Sequence, residues 1–443
     1  MLKIPQNIHL AFLIALICAF PLLADLDYDP GIRAGIMPEG GFEVFLGGGH
    51  LTNPGSSEDT YHIVLDPSAL PDGWSANFCA FGSCYPLEAT SSLLPGRDTE
   101  LSVHVFPVGP GAGTVTLIIS SDRTGDSDTI IYWASNEPEV LIINDSGRPD
   151  VSLWYSNSFD NLTAIGGILN RIDIDFESLD LSDFSSVLWF TGPDYEDVFD
   201  ETDTTVLAEY LSGGGKLILS SQGAGPFCDD EGLSSWHETN LHCEWVDSDS
   251  NLTSFYGLPG TVFEGIAGAL GCAGGPEEFD RPSILNPIGT AVPLMNYDAV
   301  GSPTSAIGHY SETGSKLVYI PFPLEAISSS GIRDSVIAQS LAYVDGAGFI
   351  AENSRLPESQ GLYAFPNPFN SAVTISICDD VSSEMKIQIF DIMGNAITSI
   401  DPNSINTAVW DATNSIGEKV PAGIYFAKTN SVNSPIIKLL YVK

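Results

Sequence analysis

Around residue 137 the spacing of apolar residues changes, and that change restricts what the chain can fold into. Before it, short runs rich in Val, Ile, Thr and aromatic residues follow one another with Gly and Pro between them: "GFEVFLG", "TYHIVLD", "ELSVHVFPV", "GTVTLIIS" and "DTIIYWAS". Alternation with turn residues every ten positions or so predicts an antiparallel β-sandwich over 25–136. Its clearest hairpin joins 114–120 to 129–133 through "SDRTGDSD". After "NEPE", short apolar runs alternate with helical ones. "VLIIND" (140–145), "SSVLWFTG" (185–192), "KLILSSQG" (216–223) and "SKLVYIPFPLEAI" read as strands, whereas "SFDNLTAIGGILN", "DETDTTVLAEYLSGGG" and "IRDSVIAQSLAYV" read as helices. The second of these opens on acidic residues and ends on glycines, which suits the two ends of a helix. Strand and helix alternating at this pace predict an α/β unit over 138–346, a mostly parallel sheet with helices on both faces.

A third pattern follows the polar linker 347–361, "AGFIAENSRLPESQG". From 362 to 443 come "VTISI", "MKIQIFDIMGNAI", "TAVWDATNSIGEKVPAGIYFAKT" and "IIKLLYVK", each alternating apolar with polar residues around turn-prone "IMGN", Gly417 and Gly423. These predict a small sandwich of about seven strands. The prolines of "FPNPFN" suit a sheet edge, where a missing N–H costs nothing.

The other end of the chain speaks to compartment. Lys3 precedes the apolar run "IHLAFLIALICAFPLL", Pro21 interrupts it and Ala24 stands before acidic "DLDYDP". This reads as a signal peptide over 1–24. Ile17 stands before Cys18 where lipidation needs a small residue. Beyond 24 no apolar stretch is long enough to span a bilayer, so the mature chain is expected to carry no transmembrane segment. The chain holds 57 Asp and Glu against 16 Lys and Arg, a formal charge of −41, with no basic tract. Nucleic acid is therefore a poor partner. Acidic loops such as "SSDRTGDSD" and "VDSDSN" mostly read as solvated surface; Ca²⁺ is the one cofactor they would suit, as a hard cation taking several oxygen ligands.

Beyond Cys18, six cysteines remain. In an exported protein "CAFGSC" and "CDDEGLSSWHETNLHC" predict disulfides between Cys79 and Cys84 and between Cys228 and Cys243, with Cys272 an alternative partner and Cys378 a solitary strand thiol. Cys228, His237, His242 and Cys243 can be drawn as a zinc set, but the spacing matches no standard ligand pattern.

Two of the three regions carry more specific resemblances. The first sandwich resembles, without a specific motif, the immunoglobulin-like domains of secreted bacterial proteins. "VLIINDSG", "LWFTGPDYED", "LAEYLSGGGKLILSSQG" and "KLVYIPFPLEAI" with "RDSVIAQSLAY" resemble the class I glutamine-amidotransferase-like domain, a flavodoxin-like fold. In catalytic members a cysteine sits on the turn after this kind of strand, served by a distant histidine. Here the turn reads Ser220, Ser221, Gln222, Gly223. It is not a Gly-x-Ser-x-Gly elbow, so Ser221 with His309 is a weak nucleophile–base pair and the non-catalytic reading is favoured. A ligand would enter the crevice at the carboxyl ends of the strands, lined by Asp145, Gly192, Ser221 and Gln222.

The tail resembles the type A C-terminal sorting domain of the type IX secretion system, through Pro366, Asn367, Pro368, Phe369 and Asn370, then Gly394, Trp410, Asp411, Gly417, Gly423, Tyr425 and Lys443. The resemblance implies recognition by that outer-membrane machinery and a cell-surface or secreted destination. For the exported body three roles stay open. It binds or supports without catalysis, engaging an unknown extracellular ligand. It is a hydrolase, a peptidase or esterase using Ser221. Or it is a carbohydrate- or calcium-binding adhesin using Trp74, Trp154 and Trp236.

Overall fold

The computed structural model describes residues 26–148, 151–162, 164–193, 195, 198–271, 281–298, 303–345, 362–365, 369, 372–377, 386–401, 407–430 and 436–442. The signal peptide, the linker, Cys18, Cys272, Cys378, Pro366, Asn367, Pro368, Asn370 and Lys443 lie outside the described residues.

The first region forms two five-stranded sheets. Strands Val44–Thr52, Asp98–Phe106 and Ser75–Ala80 build one; Asp59–Ala69, Gly111–Ser121 and Ser127–Asn136 build the other. Tyr61, Ile63, Leu65, Val103, Val105, Val115, Leu117 and Ile119 alternate inward into a shared core, the side-chain period of two that a half-buried strand imposes. The expected hairpin forms, with Thr114 opposite Trp133 and Ile118 opposite Thr129. Its edge strand Ala34–Ile36 lies parallel to Ser127–Asn136, Ala34 opposite Trp133.

In the second region Gly166–Asn170, Val140–Asn144, Ser186–Phe190, Lys216–Ser220 and Lys316–Ile320 lie side by side and parallel. Successive residues go to opposite faces. Ile142, Leu188, Ile218 and Val318 pack with Tyr155, Phe159, Val336, Ile337 and Leu341 of helices Ser152–Asp160 and Ser330–Asp345. Leu141, Ile143, Val187, Trp189, Leu217, Leu219 and Tyr319 pack on the other side against Leu207 and Leu211 of helix Glu201–Ser212. Burial on both faces is why these strands read as unbroken apolar runs.

The sheet does not stay mostly parallel. Among the described residues it has eleven strands and is mixed. Thr304–Tyr310 reaches Lys316–Ile320 through a tight turn, in which Ser311 and Ser315 are hydrogen-bonded and Gly314 has φ of 98°. A connection that short joins only antiparallel neighbours, and Val292–Asn296, Ser254–Gly257 and Ser283–Pro287 extend the sheet in the same sense. A second correction falls on "SFDNLTAIGGILN". The helix ends at Asp160 and Gly166–Asn170 is the edge strand. A Cβ on Gly166 would stand 2.7 Å from both Ile142 and the Phe159 ring, so the glycines let this strand approach its neighbours. Helices Ala224–Asp230 and Ser234–Leu241 occupy much of "CDDEGLSSWHETNLHC". Among the described residues, no helix is long and apolar enough to cross a membrane.

The third region has a three-stranded sheet, Leu362–Phe365, Val373–Ile377 and Thr407–Trp410, and a four-stranded one, Ala396–Ile400, Ile387–Asp391, Gly423–Thr429 and Ile437–Tyr441. Val373, Ile375, Ile387, Ile389, Ala427 and Leu439 meet between them.

Candidate functional site

The sequence pointed to a crevice at the carboxyl ends of the parallel strands, and the structure packs these ends tightly, with Gly192, Ser221 and Gln222 buried and Asp145 half-buried. After Val140–Asn144, the Asn144 amide donates to Ser152 Oγ at 2.8 Å while its oxygen accepts from Ser146, and Asp145 accepts from Trp189 Nε1 at 2.9 Å. Burial, and then the Asp203 charge, push the Asp145 carboxyl up to about 8. Arg171, just past the edge strand, binds Asp203 and donates to Asp200 at 2.9 Å. Those two aspartates form the capping box of Glu201–Ser212, holding backbone N–H groups that the helix itself leaves unpaired.

Deeper in, the hydroxyls of Thr191, Ser220 and Ser221 are engaged. Ser221 is fully buried, and its Oγ accepts from Thr191 Oγ1 at 2.7 Å and from Ala224 N at 3.0 Å. Ser220 Oγ donates to Phe322 O and accepts from Leu324 N, tying the turn after Lys216–Ser220 to the one after Lys316–Ile320. Gln222 donates to Pro193 O at 2.6 Å. Gly192 has φ of +63°, and a Cβ there would meet Ser146 Cβ at 2.7 Å, with Glu325 Oε1 at 3.7 Å, so glycine suits both the turn and the close approach. Asp145, Gly192, Ser221 and Gln222 all lie at these strand ends.

His309 does not join them. It pairs with Leu317, which pairs with Leu217, four residues before Ser221. At about 3.3 Å per residue, the two positions are separated by roughly 13 Å along the strands. Its ring sits 3.5 Å from that of His242, its Nε2 meets Thr290 Oγ1 at 2.9 Å, and burial lowers its pKa. The Ser221–His309 couple is not assembled.

Reasoning from sequence missed the groups that organise this end of the sheet. Glu325 is fully buried, with Oε2 accepting from Tyr155 OH at 2.6 Å; burial raises its pKa. Arg333 donates to the carbonyls of Leu324, Glu325 and Ile327 and lies 4.6 Å from the Trp154 ring. The available signal was a lone carboxylate inside apolar "PFPLEAI". Gln222 Oε1 and Glu325 Oε1 are buried acceptors with no hydrogen-bond donor among the described residues. A groove of about 690 Å³ lies elsewhere, at the amino end of the sheet between Phe176, Val206, Tyr210 and Lys216. It touches none of these groups.

The cysteines divide. Cys79 and Cys84 are bonded, facing each other across Ser75–Ala80 and Ser83–Tyr85. Cys228 and Cys243, expected as a disulfide, are free buried thiols. Helix Ala224–Asp230 and strand Cys243–Ser248 bring them near one another without a bond, and burial pushes the Cys228 thiol up to about 12 and Cys243 upward as well. His237 holds the Cys243 carbonyl through Nδ1 at 2.9 Å, and burial pulls its pKa down to about 4. Among the described residues no three His, Cys, Asp or Glu side chains converge as metal ligands. Because the thiolate is the reactive form, iodoacetamide at pH 8 is expected to label neither Cys228 nor Cys243 in the native chain and both after unfolding. Cys79 and Cys84 should label only after reduction. Peptide mass mapping reads both results, and a Cys228–Cys243 crosslinked peptide would contradict them.

The tryptophans proposed for an adhesin are packed. Trp74 belongs to the sandwich core, Trp154 lies under Arg333, and Trp236 donates to Thr204 O at 3.0 Å. In the "SDRTGDSD" loop the hydroxyl of Ser121 and the backbone of Arg123 are both held by Asp59.

In the tail Phe369, Trp410 and Tyr425 of the motif converge. Phe369 is stitched to the last strand, its N–H on Leu440 O at 2.9 Å and its carbonyl accepting from Val442 at 2.8 Å. Its ring lies 5.6 Å from Trp410 and 5.1 Å from Tyr441, and Trp410 lies 5.1 Å from Tyr425. Trp410 donates to Thr413 O, and Tyr425 to Pro421 O. Gly394 and Gly417 take φ of 83° and 81° in turns whose N–H groups are held by Asp391 and Asn414. Hydrogen bonds from Asn395 hold Asp391 below the usual carboxylate range; Asp411 is lowered likewise, first by Thr413. Gly423 opens the strand that carries Tyr425.

Residues 363–443 match the family described as secretion system C-terminal sorting domain. The tail carries a C-terminal sorting domain. Its presence indicates export through the type IX system, to the medium or the cell surface, and recognition by that machinery. No curated protein matches the chain. Solved structures similar to parts of it include PorZ, an essential surface component of the type-IX secretion system of Porphyromonas gingivalis, at 21% identity over 19% of this chain and 12% of that one, with a TM-score of 0.16. Dimeric latent PorU from the same organism aligns at 12% identity over 94% of this chain and 34% of its own, with a TM-score of 0.19. A glutamine amidotransferase from Methylobacillus flagellatus aligns at 11% identity over 50% of this chain and 99% of its own, with a TM-score of 0.29. The chain thus spans only a small part of PorZ and about a third of PorU.

Proposed function

We propose that the body delivered by the sorting domain is a non-catalytic binding or support protein of the cell surface or medium. Its immunoglobulin-like sandwich (25–136) serves as a spacer, and its amidotransferase-like domain (138–346) engages an extracellular ligand. The observation that carries this reading is Ser221. It occupies the turn where catalytic relatives of the resembled superfamily place a cysteine, yet it is fully buried and its oxygen already accepts two hydrogen bonds. A nucleophile needs an exposed oxygen and a base within reach, and His309 lies several residues back along the sheet. Of Asp145, Gly192, Ser221 and Gln222, Asp145 is the half-buried one that a ligand could reach at the strand ends.

Ser221→Ala is therefore a stability variant. Leaving the buried Thr191 hydroxyl and Ala224 N–H without their acceptor costs about 1–3 kcal/mol, and peptide or ester hydrolysis by the purified chain should not change. Denaturant unfolding and turnover of generic peptide and ester substrates check both. Loss of a hydrolytic activity in a variant that still folds would establish the hydrolase reading instead.

A further inference from the structure

The outer face of the four-stranded sheet in the sorting domain breaks the alternation expected of a sheet that faces water. In Ile387–Asp391, Ile387 and Ile389 enter the core, which turns Phe390 outward. In Gly423–Thr429, Tyr425 and Ala427 are buried and Ile424, Phe426 and Lys428 point out; in Ile437–Tyr441, Leu439 and Tyr441 are buried and Lys438 and Leu440 point out. The register sets Phe390, Phe426 and Lys438 in one cross-strand row and Ile424 beside Leu440 in the next. Lys428 lies 5.1 Å from the centre of the Phe390 ring. Ile392 and Ile436, 67% and 65% exposed, complete a shallow groove of about 400 Å³ with Phe390, Asp391, Phe426 and Lys428, and the Asp391 carboxylate in it is already engaged by Met393 N and Asn395. A sheet with one face on the core ordinarily presents polar residues on the other, and an apolar patch with a polar rim marks an interaction surface.

Charge narrows the occupant. Residues 1–361 carry 11 Lys and Arg against 50 Asp and Glu, whereas 362–443 carry 5 against 7. The acidity of the chain thus stops at the sorting domain, and two of its lysines stand on this face. A second copy would bring two strongly acidic bodies together, and an anionic lipid surface would repel the same body. We propose that this face docks onto a protein of the secretion machinery whose contact surface is apolar and rimmed by carboxylates. The proposal rests on the sorting reading and names the surface that reading leaves open.

The test compares full-length chains in a host that has the secretion machinery. The paired variant Phe426→Glu with Ile436→Glu should be delivered at least tenfold less than the unaltered chain and accumulate in the periplasm, with unchanged thermal unfolding of the purified protein. Val409→Glu, on the other sheet and 60% exposed, should be delivered normally. If the paired variant fails to fold, Ile392→Asp alters the groove from its turn and should still lower delivery severalfold. Normal delivery of a folded groove variant, while a chain ending at 361 is retained, overturns the docking surface and leaves the sorting reading standing. Delivery of the shortened chain as well overturns the sorting reading itself. A groove variant that is delivered normally but loses self-association in sedimentation assigns the face to a second copy, and the proposal fails.

Discussion

Replacing Trp410 with alanine is expected to destabilise the sorting domain by about 3–5 kcal/mol, the usual cost of emptying a buried tryptophan site. Trp410 is 1% exposed and touches both Phe369 and Tyr425, so the cavity opens where the two ends of the domain are joined. The substitution also strips the Thr413 carbonyl of its indole donor. A unit of this size holds only about 4–12 kcal/mol in all. The loss should lower its melting transition by at least roughly 12 °C, while the transitions of the preceding regions stay in place. Calorimetry of the full chain reads this directly. Delivery in a host with the machinery should fall in parallel, because the docking face is the back of the same core. A melting shift under roughly 4 °C would show that the aromatic cluster does not hold the domain together.

Arg171→Ala is expected to cost the central region about 3–5 kcal/mol, since it removes the cation from a largely buried ion pair and leaves carboxylates behind. Arg171 and Asp203 side chains are 15% and 4% exposed, whereas Asp200 is 61% exposed, so the loss comes mainly through Asp203 and Asp145. The pH dependence carries a definite sign. Asp145 and Asp203 already have folded pKa values above the ordinary 3.8, with Asp145 near 8, and without the arginine both move higher. A carboxyl raised in this way takes up its proton in the folded state first, so the folded chain gains as pH falls from the folded value toward 3.8. The deficit should therefore be largest above pH 8 and shrink between pH 8 and 5. Denaturant midpoints across that range test it, and a deficit below about 1 kcal/mol at pH 8, or one flat in pH, would contradict the network.

What the sequence made legible follows from burial. Val140–Asn144, Ser186–Phe190, Lys216–Ser220 and Lys316–Ile320 are buried on both faces, so their residues form unbroken apolar runs that nothing else resembles. Gly166–Asn170 hid because its two glycines carry no side-chain signal, and an edge strand is recognised only through its partner. The antiparallel extension hid for a related reason: Val292–Asn296 and Ser254–Gly257 are short, and Ser254–Gly257 finds its partner in a distant stretch of chain, Tyr256 opposite Asn296. At the strand ends, the turn positions Asp145, Gly192, Ser221 and Gln222 were readable from where strands end. Arg171 and Glu325 were not, since each matters through groups far away in the sequence, 32 residues for Arg171 with Asp203 and 170 for Glu325 with Tyr155. The free state of Cys228 and Cys243 escaped because two short helices between them set how their side chains approach.

The tail as an address is tested most directly by where the chain goes when it is missing. Full-length protein and a chain ending at residue 361 are expressed side by side in a host that has the type IX machinery, and the surface, medium and periplasm are assayed by intact mass. The full-length chain should reach the surface or the medium while the shortened chain stays in the periplasm. Equal delivery of the two would contradict the account and make 363–443 part of the working surface of the protein.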